Sequence, residues 1–159
     1  MIKYINKDIT TVTRGVVAHG VNCQGVMGSG VALSIRQKWP VAYRDYKAYC
    51  DIFKAPKHHL LGMVQTVSVE PDVVVANCFS QHKCGNDGQV YADIRAIKEA
   101  LANVVDYARY MGLPLYFSKI GCGYGGLDWE TDVEPILSKL CEEYDDVNIF
   151  VCDIVDLTL

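Results

Sequence analysis

The chain has 159 residues, of which 50% are hydrophobic and 21% charged, with a formal net charge of −4 and a pI near 5.5. This length suits one globular domain, residues 1–159, and no apolar run approaches the roughly 18 residues of a membrane span. The acidic balance argues against the basic surface that general nucleic-acid binding requires.

The N-terminal segment and the cysteines indicate the compartment. Met1–Asp8 lacks the apolar stretch and cleavage site of a secretory signal, so we expect a cytoplasmic protein. The seven cysteines are scattered without a C-x-x-C pair, as is typical of reduced thiols. Cys78, His82 and Cys84 are spaced wrongly for a zinc site and have no second ligand pair. We therefore expect no metal site. We also expect no cofactor and a monomer.

Short β-rich runs alternate with helical patterns along the whole chain. This order predicts an α/β fold with a parallel or mixed sheet. The predicted strands are Met1–Ile5, Val16–Val21, Met63–Val69, Val73–Phe79, Pro114–Ile120 and Asn148–Val151.

Apolar residues at helical spacing predict four helices between these strands. They are Ser29–Trp39, a helix that begins at Pro40, the long amphipathic Val90–Met111, and a last helix toward Tyr144. A proline is tolerated at the first helical position, so Pro40 ends the first helix and begins the second. Pro135 fits the last helix only in its first turn or at a kink.

Seven of the thirteen glycines fall in two short loops, each directly after a predicted strand. The first runs from Gln24 to Ala32 and opens a helix; the second runs from Gly121 to Gly126. Since ligands in open α/β sheets bind at the carboxyl ends of strands, we expect both loops to face each other across one cleft. Neither loop contains Lys or Arg, so backbone N–H groups and the helix that begins near Gly30 would hold an anion such as a diphosphate. Ordinary βα turns are the alternative interpretation.

Two common phosphate-binding motifs are missing from the sequence. No Gly-Lys pair occurs, which excludes nucleotide hydrolysis of the Walker type. The first loop reads G-x-x-G-x-G instead of G-x-G-x-x-G, and two helices separated by Pro40 follow it instead of a strand that ends in an acidic residue. A dinucleotide-dependent oxidoreductase is therefore a poor fit.

Four segments, in order along the chain, resemble the macrodomain family, whose members bind ADP-ribose. They are Asn6-Lys7-Asp8-Ile9-Thr10, His19-Gly20-Val21-Asn22-Cys23, Gly25 to Ala32, and Ile120 to Gly126. The resemblance implies a three-layer α/β/α macrodomain fold with a mixed central sheet of about six strands. Lys7 stands where the family usually has Gly.

Within the family, the tract His19 to Gly30 and Trp129 resemble the small stand-alone proteins, which include ADP-ribose 1″-phosphate phosphatases and terminal ADP-ribose glycohydrolases. The glycohydrolases rely on a Lys nucleophile before the long helix and an Asp in the second loop. This sequence has Gly88 and Gly125 at those positions, although other candidates lie nearby, namely Lys83, Asp87 and Asp128. The resemblance therefore implies binding of ADP-ribose and hydrolysis of the terminal phosphate of ADP-ribose 1″-phosphate. An ADP-ribosyl hydrolase acting on protein or nucleobase, or a non-catalytic ADP-ribose reader, are the alternatives.

The resemblance assigns a role to Asp8, and position and side-chain chemistry suggest roles for Asn22, His19 and Tyr124. Asp8 would accept a hydrogen bond from the adenine amine while the Ile9 N–H meets a ring nitrogen, with a turn-forming Asp as the alternative. Asn22 would contact ribose hydroxyls and take part in catalysis, or else cap a turn. His19 would act as general acid or base on the terminal phosphate, or else be a structural strand residue. Tyr124 would cover the distal ribose.

The two glycine loops supply the remaining predicted ligand contacts. These are Gly25, Met27, Gly28, Ser29, Gly30, Val31, Gly121, Cys122, Gly123 and Gly125. Phe79 and Trp129 are expected in the core or in the cleft wall, since large aromatic side chains are highly buried on average.

Overall fold

The structure, a computed structural model, describes residues 2–153. Its strands are β1 (Ile2–Ile5), β2 (Gly15–Asn22), β3 (Val64–Glu70), β4 (Val73–Gln81), β5 (Leu115–Phe117) and β6 (Ile149–Cys152). They form one six-stranded sheet in the order β1-β6-β5-β2-β4-β3, in which β3 is antiparallel to β4 and the other pairs are parallel. The predicted α/β fold with a mixed sheet of six strands is confirmed.

Four α-helices connect the strands. They are α1 (Gly30–Lys38), α2 (Pro40–Ile52), α3 (Ile94–Met111) and α4 (Glu134–Glu143). Pro40 and Pro135 both lie in the first turn of their helices, where a missing N–H has no consequence for helical bonding. Gly112 ends α3 in the left-handed conformation with φ 65°.

The central strands β2 and β4 are buried on both faces of the sheet. Alternation along β2 sends Val16 and Ala18 toward the layer of α3 and α4, and Val17 toward the layer of α1 and α2. Phe79 packs in the core on the α2 side and Trp129 in the core on the α4 side, so both belong to the core. Among residues 2–153 no helix has the length and apolar character that crossing a membrane requires.

Two predicted boundaries are wrong, namely the end of β5 and the start of α3. The strand predicted over Pro114–Ile120 ends at Phe117, because the chain turns after Ser118, where the Ile120 N–H bonds to the Ser118 carbonyl at 2.8 Å. The helix predicted from Val90 begins four residues later, at Ile94. The preceding N–H groups bond instead to a carbonyl of the second glycine loop. Met1, the first residue of the first predicted strand, lies outside the described residues.

Asp93 anchors the start of α3. Its carboxylate accepts a hydrogen bond of 3.0 Å from the Ala96 N–H, as an N-cap residue does. We expect Asp93→Ala to lower the free energy of unfolding by about 1 kcal/mol, measured by urea denaturation. Asp106→Ala, on the exposed face of the same helix, is the control and is expected to cost about 0.5 kcal/mol or less. Equal effects of the two substitutions would contradict the capping role.

A candidate anion-binding cleft at the carboxyl ends of the strands

Both glycine loops line one cleft, which lies where the parallel strands end. It encloses about 1220 Å³ and has walls from the segment after β1, the ends of β2, β4 and β6, and the loop after β5. This volume exceeds the roughly 300–1,000 Å³ of sites for drug-sized ligands and is suited to a dinucleotide-sized molecule. The prediction that the two loops face each other on one rim is confirmed.

Asn22 organises the first loop. Its Oδ1 accepts hydrogen bonds from the Gln24 N–H at 2.9 Å, the Val26 N–H at 3.3 Å and the Tyr46 hydroxyl at 2.9 Å. Its Nδ2 donates to the Val26 carbonyl at 2.8 Å. Asn22 therefore caps the turn of the first loop, which was the alternative interpretation of this residue. One amide hydrogen remains for the predicted sugar contact, which stays a prediction.

We expect Asn22→Ala to lower the free energy of unfolding by about 2 kcal/mol, because the Gln24 and Val26 N–H groups lose their acceptor and the Val26 carbonyl loses its donor, while the Tyr46 hydroxyl keeps its bond of 2.6 Å to the backbone carbonyl of residue 22. Urea denaturation measures the effect. Asn103→Ala is the control: its side chain makes one bond of 3.3 Å, to the Gly62 carbonyl, and we expect a loss of about 0.5–1 kcal/mol. A smaller loss for Asn22→Ala than for Asn103→Ala would show that the loop does not depend on Asn22.

The first loop ends on the N-terminus of α1. Ser29 is the N-cap residue but makes no side-chain capping bond, and the first turn contains no acidic residue. Gly30 adopts φ 59°, with open space where a Cβ would lie. The first N–H groups of a helix have no partner within the helix, so those of α1 are available toward the cleft. Together with the positive end of the helix dipole they favour an anion.

The second loop is fixed to the segment before α3. The Gly125 carbonyl accepts hydrogen bonds of 3.0 Å from the N–H groups of Tyr91 and Ala92. Gly121 has φ 83°, and a Cβ there would lie 2.8 Å from the Ile97 side chain, so only glycine fits. Tyr124 is 59% exposed and lines the cleft; its contact with the distal ribose stays a prediction.

Charged groups stand at the edge of the cleft instead of in the two loops. Lys119 forms an ion pair of 2.8 Å with Asp153. The Asp8 carboxylate accepts hydrogen bonds from the Thr10 hydroxyl at 2.7 Å and from the Thr10 N–H at 2.9 Å, which lower its pKa and keep it ionised. Asp8 therefore shapes the turn after β1, as the alternative interpretation stated, and presents a carboxylate to the cleft. Its contact with adenine stays a prediction.

His19 lines the floor of the cleft but is only 1% exposed. Its Nε2 lies 2.6 Å from the Asn77 Oδ1. Burial lowers the pKa of His19 to about 4, against the opposing effect of the Asn77 hydrogen bond. The ring is therefore neutral at pH 7 and is unable to give a proton as a general acid there; a role as a proton acceptor stays a prediction.

The structure brings most of the predicted site residues to the cleft lining. Two do not reach it: Met27 is buried in the core beside Tyr46 and Phe79, and Gly25 is buried against Cys50. The unbranched apolar side chain of Met27 packs inward while its neighbours Val26 and Gly28 face the cleft. The predicted residues in the lining are Asp8, Ile9, His19, Asn22, Gly28, Ser29, Gly30, Val31, Gly121, Cys122, Gly123, Tyr124 and Gly125.

Sequence reasoning missed the polar lining that follows β4 and β5. Ser80 and Ser118 are buried polar residues at the ends of these strands, and the chain after β4 continues along the cleft. The carboxyl-end rule that located the glycine loops also applies to these strands and was the available signal. The missed lining residues include Ser80, Gln81, Cys84, Gly85, Asn86, Ser118 and Lys119.

The residues that lie near the glycohydrolase positions in sequence are directed elsewhere. Asp128 accepts hydrogen bonds from the N–H and hydroxyl of Thr131 and caps the turn before α4. Asp87 accepts a hydrogen bond of 2.8 Å from the Tyr91 hydroxyl. Neither these carboxylates nor Lys83 belong to the lining of the cleft in the described part of the chain. Residues 2–153 also contain no group of three His, Cys, Asp or Glu side chains placed to hold a metal ion.

Comparisons with known proteins agree with this geometry. An ADP-ribose 1″-phosphate phosphatase of Debaryomyces hansenii is 38% identical, over 96% of this chain and 100% of the relative. A DNA ADP-ribosyl glycohydrolase of Mycobacterium tuberculosis is 27% identical over 95% of this chain, which spans only 42% of that longer protein. A crystal structure of a Bacteroides thetaiotaomicron protein superposes with a TM-score of 0.82 at 28% identity, covering 96% of this chain and 99% of the other. The Macro domain family model matches residues 18–136. The chain belongs to the macro domain family.

Proposed function

We propose that this protein binds ADP-ribose and hydrolyses the terminal phosphate of ADP-ribose 1″-phosphate. The observation that carries the proposal is one cleft lined by two glycine loops that contain no Lys or Arg, so that backbone N–H groups are the donors these loops can offer an anion. Such loops hold a diphosphate without adding positive charge to an acidic protein. The phosphatase relative that is 38% identical over nearly the whole chain supports the same substrate.

The proposed ligand lies along the cleft from β1 to the first loop. Adenine is next to Asp8 and Ile9, the diphosphate lies between the two glycine loops, and the distal ribose is near Asn22 and Tyr124. All of these residues belong to the lining. In this proposal residues 1–159 form one domain, and the protein is a cytoplasmic monomer without general affinity for nucleic acid.

The proposed reaction is attack of water on the terminal phosphorus. The water oxygen forms a bond to phosphorus, and the bond between phosphorus and the ribose O1″ breaks. One water proton passes to His19 or to solvent, and the leaving oxygen takes a proton from solvent, giving inorganic phosphate and ADP-ribose. Loop N–H groups stabilise the negative charge that develops on the phosphoryl oxygens.

Calorimetry with ADP-ribose followed by a phosphate-release assay tests the proposal. We expect the wild type to bind ADP-ribose and to release phosphate from the 1″-phosphate, and His19→Gln to bind ADP-ribose but to release phosphate about 100-fold more slowly. Tight binding without turnover would identify a reader instead. Unchanged turnover in His19→Gln would refute the role of His19.

Removal of ADP-ribose from DNA or protein is the second candidate function. The 27% identical DNA ADP-ribosyl glycohydrolase favours it. Two observations count against it. The positions that the resemblance assigns to the Lys and Asp of that reaction hold Gly88 and Gly125, and the nearby Asp128 caps a turn. Release of free ADP-ribose from an ADP-ribosylated oligonucleotide, without phosphate release from the 1″-phosphate, would replace the phosphatase proposal.

A further inference from the structure

Three polar side chains form a row across β2, β4 and β3. His19 is paired in register with Asn77, and Asn77 with Gln65, so all three lie on the same face of the sheet. His19 Nε2 is 2.6 Å from Asn77 Oδ1, and Asn77 Nδ2 is 3.2 Å from Gln65 Oε1. Gln65 Nε2 is 3.1 Å from the backbone carbonyl of Asp45 in α2. The row connects the floor of the cleft to the backbone of a helix.

The carbonyl of Asp45 fixes the direction of every bond in this row. A backbone carbonyl only accepts hydrogen bonds, so the amide group of Gln65 that faces it must be the NH₂. The oxygen of Gln65 then faces Asn77 and accepts from its NH₂. The oxygen of Asn77 in turn faces His19, so His19 must donate through Nε2. The row therefore leaves the proton of a neutral His19 ring on Nε2 and a lone pair on Nδ1.

The Nδ1 atom of His19 is left without a partner. In the part of the chain that the structure describes, it is the one buried side-chain nitrogen or oxygen with no hydrogen-bond partner. A buried polar atom without a partner costs about 1–3 kcal/mol. His19 is also among the residues that line the cleft, and because Nε2 is occupied by Asn77, Nδ1 is the ring nitrogen left to bond to a group bound there.

We propose that Asn77 and Gln65 are positioning residues, which hold His19 in the Nε2-protonated tautomer so that Nδ1 accepts a hydrogen bond from a hydroxyl or water in the cleft. The proposal rests on the function proposed above only for the identity of the group that donates to Nδ1. That function makes the donor either a distal ribose hydroxyl or the attacking water. A lone pair repels the oxygens of a phosphate. The terminal phosphate therefore lies beside the donor and makes no direct contact with Nδ1, and His19 takes a proton instead of giving one.

Nitrogen NMR of histidine-labelled protein tests the tautomer directly, because protonated and unprotonated ring nitrogens have different chemical shifts. In the wild type at pH 7 we expect Nε2 to be protonated and Nδ1 to be unprotonated. Asn77→Leu removes the acceptor, and Gln65→Leu frees Asn77 to turn its amide, so both variants are expected to show a mixture of tautomers. Asn77→Asp keeps an acceptor for Nε2–H and is expected to keep the wild-type tautomer.

Asn103→Leu is the matched control, since it removes an amide that bonds only to the Gly62 carbonyl and is expected to leave the His19 signals unchanged. A wild-type ring protonated on Nδ1, or a single unchanged tautomer in both Asn77→Leu and Gln65→Leu, would overturn the proposal. Gln65 is half-buried and lies near the edge of the sheet, so Gln65→Leu decides the question if Asn77→Leu does not fold.

A kinetic measurement separates positioning from general stability. In Gln65→Leu we expect kcat for phosphate release to fall about tenfold, with KM nearly unchanged. A general base contributes about 10²–10⁴-fold to the rate, and a mixture of tautomers loses part of this contribution. A rise in KM with unchanged kcat would contradict the positioning role. If the wild type releases no phosphate, the function proposed above fails, whereas the nitrogen shifts still support or refute the row of hydrogen bonds on their own.

Discussion

Ser29→Asp is expected to weaken ADP-ribose binding about 100-fold while the domain stays folded. Asp is among the best N-cap residues and a negative charge is favourable at a helix N-terminus, so α1 is preserved or slightly stabilised. The new carboxylate, however, lies in the cleft lining beside the proposed diphosphate. Two unit charges about 5 Å apart at an effective dielectric constant of about 20 repel by about 3 kcal/mol, which corresponds to about 100-fold in affinity.

Calorimetry with ADP-ribose measures the loss, and Ser29→Asn provides the matched control. Asn caps a helix as well as Asp does but carries no charge. We expect the affinity of Ser29→Asn to stay within about threefold of the wild type, since no charge is added. Equal affinities of the Asp and Asn variants would show that no anionic group of the ligand lies near the start of α1.

The protein is expected to lose roughly 3 kcal/mol of stability between pH 6.5 and pH 4 through His19 alone. Burial lowers the pKa of this ring from 6.5 to about 4 in the folded state. Between these values the unfolded chain binds more protons than the folded one, so stability rises with pH there. The stability that the neutral ring contributes is complete above pH 6.5 and is lost as the pH falls through the pKa of the folded state. Each unit of difference between the unfolded and folded pKa corresponds to about 1.36 kcal/mol of this stability.

Urea denaturation of the wild type and His19→Gln at several pH values between 7 and 4 isolates this effect. Carboxylates with lowered pKa, such as Asp128 and Asp146, also lose stability in acid, but they are common to both proteins. We expect the wild type to lose roughly 3 kcal/mol more than His19→Gln over this range. Parallel pH profiles would mean that the ring is not held neutral in the folded protein.

The fold was predictable because its signals are local. Runs of β-branched residues buried on both faces, as in β2 and β4, identify parallel strands, and the apolar spacing of α3 identifies an amphipathic helix. Prolines and glycines marked the helix ends through their fixed or permitted φ values. The predicted start of α3 was wrong because the N–H groups before Ile94 bond to residues distant in the chain, and the predicted end of β5 was wrong because a turn at Ser118 ends the strand at Phe117.

The site was predictable in its location but less so in the function of each residue. The rule for carboxyl ends placed the two glycine loops together, since it depends only on strand direction. It could not show that Asn22 uses most of its hydrogen bonds within the loop, or that Met27 turns into the core. The partners of His19 lie 46 and 58 residues away along the chain, at Gln65 and Asn77, and only the strand register brings them into one row.

In the proposed complex, main-chain N–H groups of two uncharged loops hold the diphosphate of ADP-ribose. A crystal structure of the complex with ADP-ribose measures this most directly. We predict phosphate oxygens within about 3.2 Å of backbone nitrogens from both the Gly28–Val31 and the Gly121–Gly125 segments. A diphosphate held by the side chains of Lys7 and Lys119, or bound outside this cleft, would contradict the account.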